Sequence, residues 1–255
     1  MLNFLKMEDA DIPPKESLDI YNLETLLRCA PHILNSKILG VDLEGRLRKN
    51  GFIEMIQLNN GVNTFLIDVY RMLLEGEMET FELTKKILRN IMCDERVLKI
   101  FHDCRHDTLV LHEIMNTCVI NIFDTSAVET YRGQLRVYEN EKDKHKALKN
   151  VVNVKTPGLN EILEKYHAPH GINLNKDWFH QLWKKGHTEL FERRPLDPQY
   201  REYCIKDVLD LPHVYSEMIE GLSLDFTNWI SSHYVRAGYL YTIDEGEKWE
   251  MQEKF

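Results

Sequence analysis

The chain of 255 residues has no apolar run near the roughly 20 residues that a membrane-spanning helix requires. Its opening residues, Met1 to Asp9, have neither the long apolar stretch of a signal peptide nor the acid-poor character of a transit peptide. Cysteine is sparse: Cys29, Cys93, Cys104, Cys118 and Cys204 are scattered, odd in number and form no CxxC pair. That argues against a disulfide framework and a cysteine-rich zinc site, and for reduced thiols in an intracellular protein, cytoplasmic or nuclear. Positive charge is also short, with 32 Lys and Arg against 41 Asp and Glu and a net charge of −9. Such a balance disfavours tight, non-specific binding to polyanions, although a local basic groove remains compatible with it. There is no P-loop, no dinucleotide glycine fingerprint and no GxSxG nucleophile elbow, so three common chemistries are absent.

The residues that are present alternate between strand and helix patterns. Residues 1–16 are polar and contain Pro13-Pro14, which reads as an irregular lead-in. A helix is expected from a cap near Ser17 or Asp19, with Tyr21, Leu23, Leu26, Leu27 and Ala30 at helical spacing. Lys37 to Glu44 reads as a buried strand ending in acids, and Gly51–Leu58 and Thr64–Val69 as two more strands turning at Asn60-Gly61. A helix over 76–93, a strand over Val97–Phe101, a helix over Asp107–Met115, a strand over Val119–Phe123 and a helix to about Tyr131 follow. These elements predict an α/β fold with a mixed sheet. The mixed-sign stretch between Arg132 and Thr156 reads as a solvated loop. Helices are expected over Leu159–Tyr166, Trp178–Trp183, Pro198–Met218 and Leu224–Val235, before a polar tail.

Three segments carry chemistry. In Asp42-Leu43-Glu44 the two acids stand two residues apart on a strand, so both carboxylates leave the same face. Paired carboxylates near a buried sheet repel, and a hard divalent cation is their natural compensation. Tyr203 and Asp207 lie four apart in a helical pattern and share one face. Asp107 sits where a short strand gives way to a helix, a position suited to a cap as well as a ligand. Asp103 competes with it, and His102 and His106 are alternative ligands or phosphate-facing groups. Each segment taken alone is common in unrelated proteins.

Taken in order, the three segments resemble the DEDD superfamily of 3′–5′ exonucleases in its tyrosine-bearing, ribonuclease D-like branch, over roughly residues 20–220. Ile53 to Leu58, Phe123-Asp124-Thr125, Gly158 to Tyr166 and Arg194-Pro195-Leu196 resemble further motifs of that family. Val41 to Gly45 and Ile100 to Arg105 are most similar to the egalitarian-type, exonuclease 3′–5′ domain-containing proteins, and Gly45 replaces a threonine common in proofreading relatives. The resemblance implies a ribonuclease H-like mixed five-stranded sheet with helices on both faces and a helical C-terminal part. It divides the chain into a lead-in (1–16), an exonuclease domain (17–220) and a C-terminal helical extension and tail (221–255).

The resemblance also implies two divalent metal ions, Mg²⁺ or Mn²⁺. Asp42, Glu44 and Asp207 would bind one, Asp42 would bridge to the second with the scissile phosphate, and Asp107 would hold that second ion through water. Tyr203 would orient the attacking water. The expected substrate is a single-stranded RNA, favoured over DNA, with a free 3′ end, and the expected products are nucleoside 5′-monophosphates. An alternative is a catalytically weak RNA-binding or scaffold module on the same fold. Candidate substrate contacts are Leu43, His102, Arg105, Phe52 and Lys176, with Trp178, Lys184 and Lys185 as further possibilities.

Overall fold

The structure, a computed structural model, describes residues 17–48, 51–151, 153–187, 189–220 and 222. In chain order the elements are β1 (Ser17–Ile20), α1 (Leu23–Leu34), β2 (Ile38–Arg46), β3 (Phe52–Asn59), β4 (Thr64–Asp68), α2 (Val69–Leu74), α3 (Met78–Met92), β5 (Leu98–Phe101) and α4 (Arg105–Met115). Then come β6 (Ile122–Asp124), α5 (Thr125–Asn140), α6 (Lys144–Val151), α7 (Leu159–Lys165), α8 (Lys176–Lys184), α9 (Glu189–Glu192), α10 (Pro198–Leu209) and α11 (Leu211–Met218). One mixed sheet runs in the order β1-β4-β3-β2-β5-β6. The β2–β3–β4 meander is antiparallel, while β1 on β4, β5 on β2 and β6 on β5 are parallel.

Alternation along the strands builds a core on each face. Leu43 and Ile56 join Leu26 and Ile33 of α1 and Leu88 of α3 on one side. On the other, Met55 and Leu66 meet Tyr200, Tyr203 and Cys204 of α10, and Ile100 meets Val208, Leu211 and Val214. The α/β class and the helices on both faces therefore stand, but the sheet has six strands rather than five.

The extra strand corrects the expected helix start at Ser17 or Asp19. Ser17-Leu18-Asp19-Ile20 alternates part-buried and buried positions, and pairs with β4 from Ser17↔Thr64 to Ile20↔Ile67. Arg201 of α10 holds this edge, donating to the Ser17 carbonyl at 3.0 Å and pairing with Asp19. The helix begins after Asn22, whose side chain accepts the Thr25 N–H at 3.0 Å in a capping box closed by the Thr25 hydroxyl. The expected loop over 132–156 is corrected too, since α5 continues to Asn140 and α6 follows. Arg132 anchors α5 by donating to the Tyr166 hydroxyl and the Met218 carbonyl, and Lys146 pairs with Glu141. The expected helix Pro198–Met218 is two, because Pro212 at the start of α11 has no N–H to continue α10. The lead-in 1–16 and the helix at 224–235 lie outside the described residues. None of the described helices is long and apolar enough to cross a membrane.

Candidate functional site

The site forms where α10 crosses β2. Gly40 makes the close crossing possible: a Cβ there would meet the Val208 carbonyl oxygen at 2.9 Å and the Leu211 Cβ at 3.0 Å. This approach sets Asp207 against the face of β2 from which Asp42 and Glu44 project. Single oxygens of Asp42, Glu44 and Asp207 lie within 4.8 Å of one another. Glu44 and Asp207 are buried, and Asp42 is half-buried. Tyr203, one turn before Asp207, donates its hydroxyl to Glu44. The strand register slips between Glu44 and Gly45, where Gly45 adopts φ 142° and a Cβ would meet the Phe52 carbonyl at 2.3 Å. The glycine after Glu44 is thus imposed by a bulge at the rim of the site.

Asp107 comes from the first turn of α4 and lies outside that group of three. Its carboxylate accepts the Leu43 N–H at 3.1 Å, which ties the helix start to the middle of the Asp42-Leu43-Glu44 segment. The Leu43 side chain is enclosed in the core at 2 % exposure, so its contribution to the site is this backbone donor.

Negative charge here is poorly compensated. Burial and the neighbouring Asp207 push the Asp42 carboxyl up to about 7. Burial with Asp42 and Asp207 drives Glu44 well above the carboxylate range, and burial with Asp42 does the same to Asp107. Burial and the nearby carboxylates raise the Tyr203 phenol well above its ordinary value, so it stays protonated at neutral pH. Lys176 at the start of α8 brings a cation to the group, with Nζ 2.7 Å from Asp207 Oδ2. Burial works against its charge, but Asp207, Asp42 and Glu44 outweigh that and raise its pKa. Two buried carboxylates and one half-buried one converge near one ammonium and form an all-oxygen donor set short of positive charge, which fits a hard divalent cation.

Surrounding residues divide into those that face the group and those engaged elsewhere. His102 lies close enough for Lys176 and Asp207 to act on its ring, which burial keeps neutral. Its tautomer follows from its neighbour: the Thr125 hydroxyl donates to the Phe101 carbonyl at 3.1 Å, so it accepts from His102 Nδ1–H at 2.9 Å and Nε2 is left as the acceptor. Arg105 pairs with Asp103, and the Arg46 guanidinium lies over the Phe52 ring at 4.5 Å. Asp103 adopts φ 63° in the turn before α4 and, like His106, is absent from the converging group. Trp178, Lys184 and Lys185 are exposed on α8 and its cap.

Three positioning residues support the site; Asn173 carried no sequence signal, whereas Asp124 and Arg194 fall in segments that the resemblance had marked. Asn173, fully buried in a loop without periodicity, donates to Asp207 Oδ1 at 2.8 Å and to the Tyr203 carbonyl at 3.0 Å. Asp124 accepts the Cys104 N–H at 2.7 Å and the Ala127 N–H at 2.9 Å, fixing the turn that leads into α4 while capping α5. Arg194 forms a two-pronged pair with Asp68 at the end of β4, both contacts 2.6 Å, and so secures the chain entering α10.

A family model described as 3′–5′ exonuclease matches residues 20–222. The piRNA biogenesis protein EXD1 of Xenopus laevis is 24% identical over 197 residues, 77% of this chain and 40% of that protein. Trypanosoma brucei RNase D in complex with GMP superposes with a TM-score of 0.68 at 16% identity, over 88% of this chain and 64% of that one. Escherichia coli RNase D, an exoribonuclease involved in structured RNA processing, superposes with a TM-score of 0.56 at 18% identity, over 88% of this chain and 49% of that one. The chain therefore spans less than two thirds of each of these relatives, and the two superpositions speak to fold alone.

Proposed function

This chain belongs to the 3′–5′ exonuclease family, and from that premise we propose that it removes nucleotides one at a time from the free 3′ end of single-stranded nucleic acid, RNA in preference to DNA. The products are nucleoside 5′-monophosphates. The observation that carries this reading is the convergence of Asp42, Glu44 and Asp207 within 4.8 Å in a largely buried setting.

Asp42, Glu44 and Asp207, with Asp107 alongside, would hold two divalent ions, Mg²⁺ or Mn²⁺, which would supply an activated water and offset the charge on the departing oxygen. Tyr203 keeps its proton at neutral pH, so it orients the attacking water by hydrogen bonding and does not act as the base. Asn173 fixes the rotamer of Asp207. Lys176 and the neutral His102 stand beside the carboxylates, where a phosphate and a sugar hydroxyl would find a cationic donor and a nitrogen acceptor. Arg105, Phe52 and Trp178 offer an outer cation and two aromatic faces for the strand, base stacking being tolerant of sequence. The preference for RNA is supported by the RNA-directed roles of EXD1 and of the bacterial RNase D.

The test uses single-stranded RNA and DNA labelled at the 5′ end, incubated with Mn²⁺, Mg²⁺ or EDTA. The expected result is a metal-dependent ladder that shortens from the 3′ end, faster on RNA, with 5′-monophosphates in the supernatant. Intact strands under both metals, shifted by a folded protein, would instead assign the chain to a binding or scaffold role.

A further inference from the structure

We propose that Lys176 is a tethered counter-ion that occupies the acidic group when no metal is bound and must release Asp207 for metal to load. This inference rests on the metal-dependent reading of the site. Both oxygens of Asp207 are taken by donors of the chain itself, Oδ1 by Asn173 at 2.8 Å and Oδ2 by Lys176 at 2.7 Å. The two donors differ in how they are held. Asn173 is fully buried and locked from every side: its N–H donates to Asn160 Oδ1 at 2.9 Å, its carbonyl accepts from Asn160 Nδ2 at 3.0 Å, and its side-chain oxygen accepts the Asn175 N–H at 3.2 Å. Lys176 is held much less firmly. Its side chain is 30 % exposed, on the first turn of a helix, and Asp207 is its side-chain hydrogen-bond partner among the described residues.

Charge balance gives the direction. Without metal, the ammonium is, among the described residues, a nearby cation that offsets Asp42, Glu44 and Asp207. Two divalent ions match the four carboxylates in charge, which leaves the ammonium surplus and repelled at close range. Lysine suits such a role because its charge sits on a long flexible stem with a route to solvent, whereas a bidentate guanidinium would hold Asp207 by both oxygens. Lys176 is therefore a positioning residue: it keeps the empty site folded at the cost of weaker metal binding. Once displaced, it stands beside the cleft, where an incoming phosphate is its next partner.

The experiment is isothermal titration of metal-stripped protein with Mn²⁺ at pH 8, comparing wild type with Lys176→Met, Lys176→Gln and Lys176→Arg, each checked by circular dichroism. Lys176→Met and Lys176→Gln are expected to bind Mn²⁺ at least about tenfold more tightly than wild type, and Lys176→Arg no more tightly than wild type. Without metal, Lys176→Met should melt below wild type, and saturating Mn²⁺ should raise its melting temperature by more. Lys176→Gln keeps a donor for Asp207 without the charge, so it remains informative if Lys176→Met does not fold. Equal or weaker Mn²⁺ binding in the uncharged variants, with binding intact in wild type, overturns the counter-ion role alone. No Mn²⁺ binding in any of the proteins overturns both this inference and the metal-dependent reading beneath it.

Discussion

Two sets of buried and half-buried carboxylates sit on or beside the same sheet and are treated oppositely by the fold. Asp68, at the end of β4, receives both prongs of Arg194 at 2.6 Å and the Arg71 N–H at 2.9 Å. Asp124, at the end of β6, receives the N–H groups of Cys104 and Ala127. Both close a strand and start a helix, and both are satisfied by fixed partners within the chain. Asp42, Glu44 and Asp107 lie between them on the sheet and at a helix start, but burial and mutual repulsion dominate their surroundings. Satisfied acids of the first kind hold the scaffold. The second kind costs stability and makes sense once a cation from outside completes it, as in sites that trade stability for function.

The comparison can be broken most severely at Asp68. Asp68→Asn leaves Arg194 buried beside a neutral amide, and the loss should be about 3–5 kcal/mol in urea unfolding. Activity per folded molecule should change little. Asp42→Asn should do the reverse. It should cut the rate of strand shortening by at least about a hundredfold, equivalent to about 2.7 kcal/mol of barrier. Its metal-free melting temperature at pH 8 should equal or exceed that of wild type, because a repelled carboxylate has gone.

Smaller effects sharpen the contrast. Gly40→Ala overpacks the crossing of α10 on β2 and should cost about 1–3 kcal/mol. It should also weaken Mn²⁺ binding, since the Asp207 carboxylate is set against β2 by that contact; unchanged binding would show that the approach is not critical. Glu54 gives a third case, a buried acid outside the site whose Oε2 has no hydrogen-bond partner among the described residues. Burial and the nearby Glu192 raise its carboxyl from the ordinary 4.5 to about 7. The folded state then holds a proton that the unfolded chain has lost, so this group's contribution to stability falls as pH rises from about 4.5 to about 7. Glu54→Gln should therefore exceed wild type by about 1–2 kcal/mol at pH 8 and match it near pH 4.5, a difference read from paired urea titrations.

Much of this site was legible because its acids sit on strongly patterned elements. Asp42 and Glu44 end an apolar strand, Tyr203 and Asp207 share a helical face, and the period of each element determines where its side chains go. What stayed hidden depended on tertiary contact. The strand Ser17–Ile20 is four residues long and is stabilised by β4 and Arg201, distant partners that local pattern does not register. Residues 132–140 and 144–151 are helical despite lacking an apolar stripe, and Arg132 ties α5 to Tyr166 and Met218, again distant in sequence. Asn173 owes its role to the Asp207 carboxylate it meets, and Gly40 to the helix above it. Lys176 was visible as a candidate phosphate contact, yet its bond to Asp207 was not, because nothing in the spacing of residues 176 and 207 brings them together.

The most direct measurement is the rate of Mn²⁺-dependent shortening of a 5′-labelled single-stranded RNA by Asp42→Asn beside wild type, at equal concentrations of folded protein. The expected result is a metal-dependent ladder from wild type and a loss of at least about a hundredfold in the variant. A variant as active as wild type would contradict the assignment of catalysis to this group of acids.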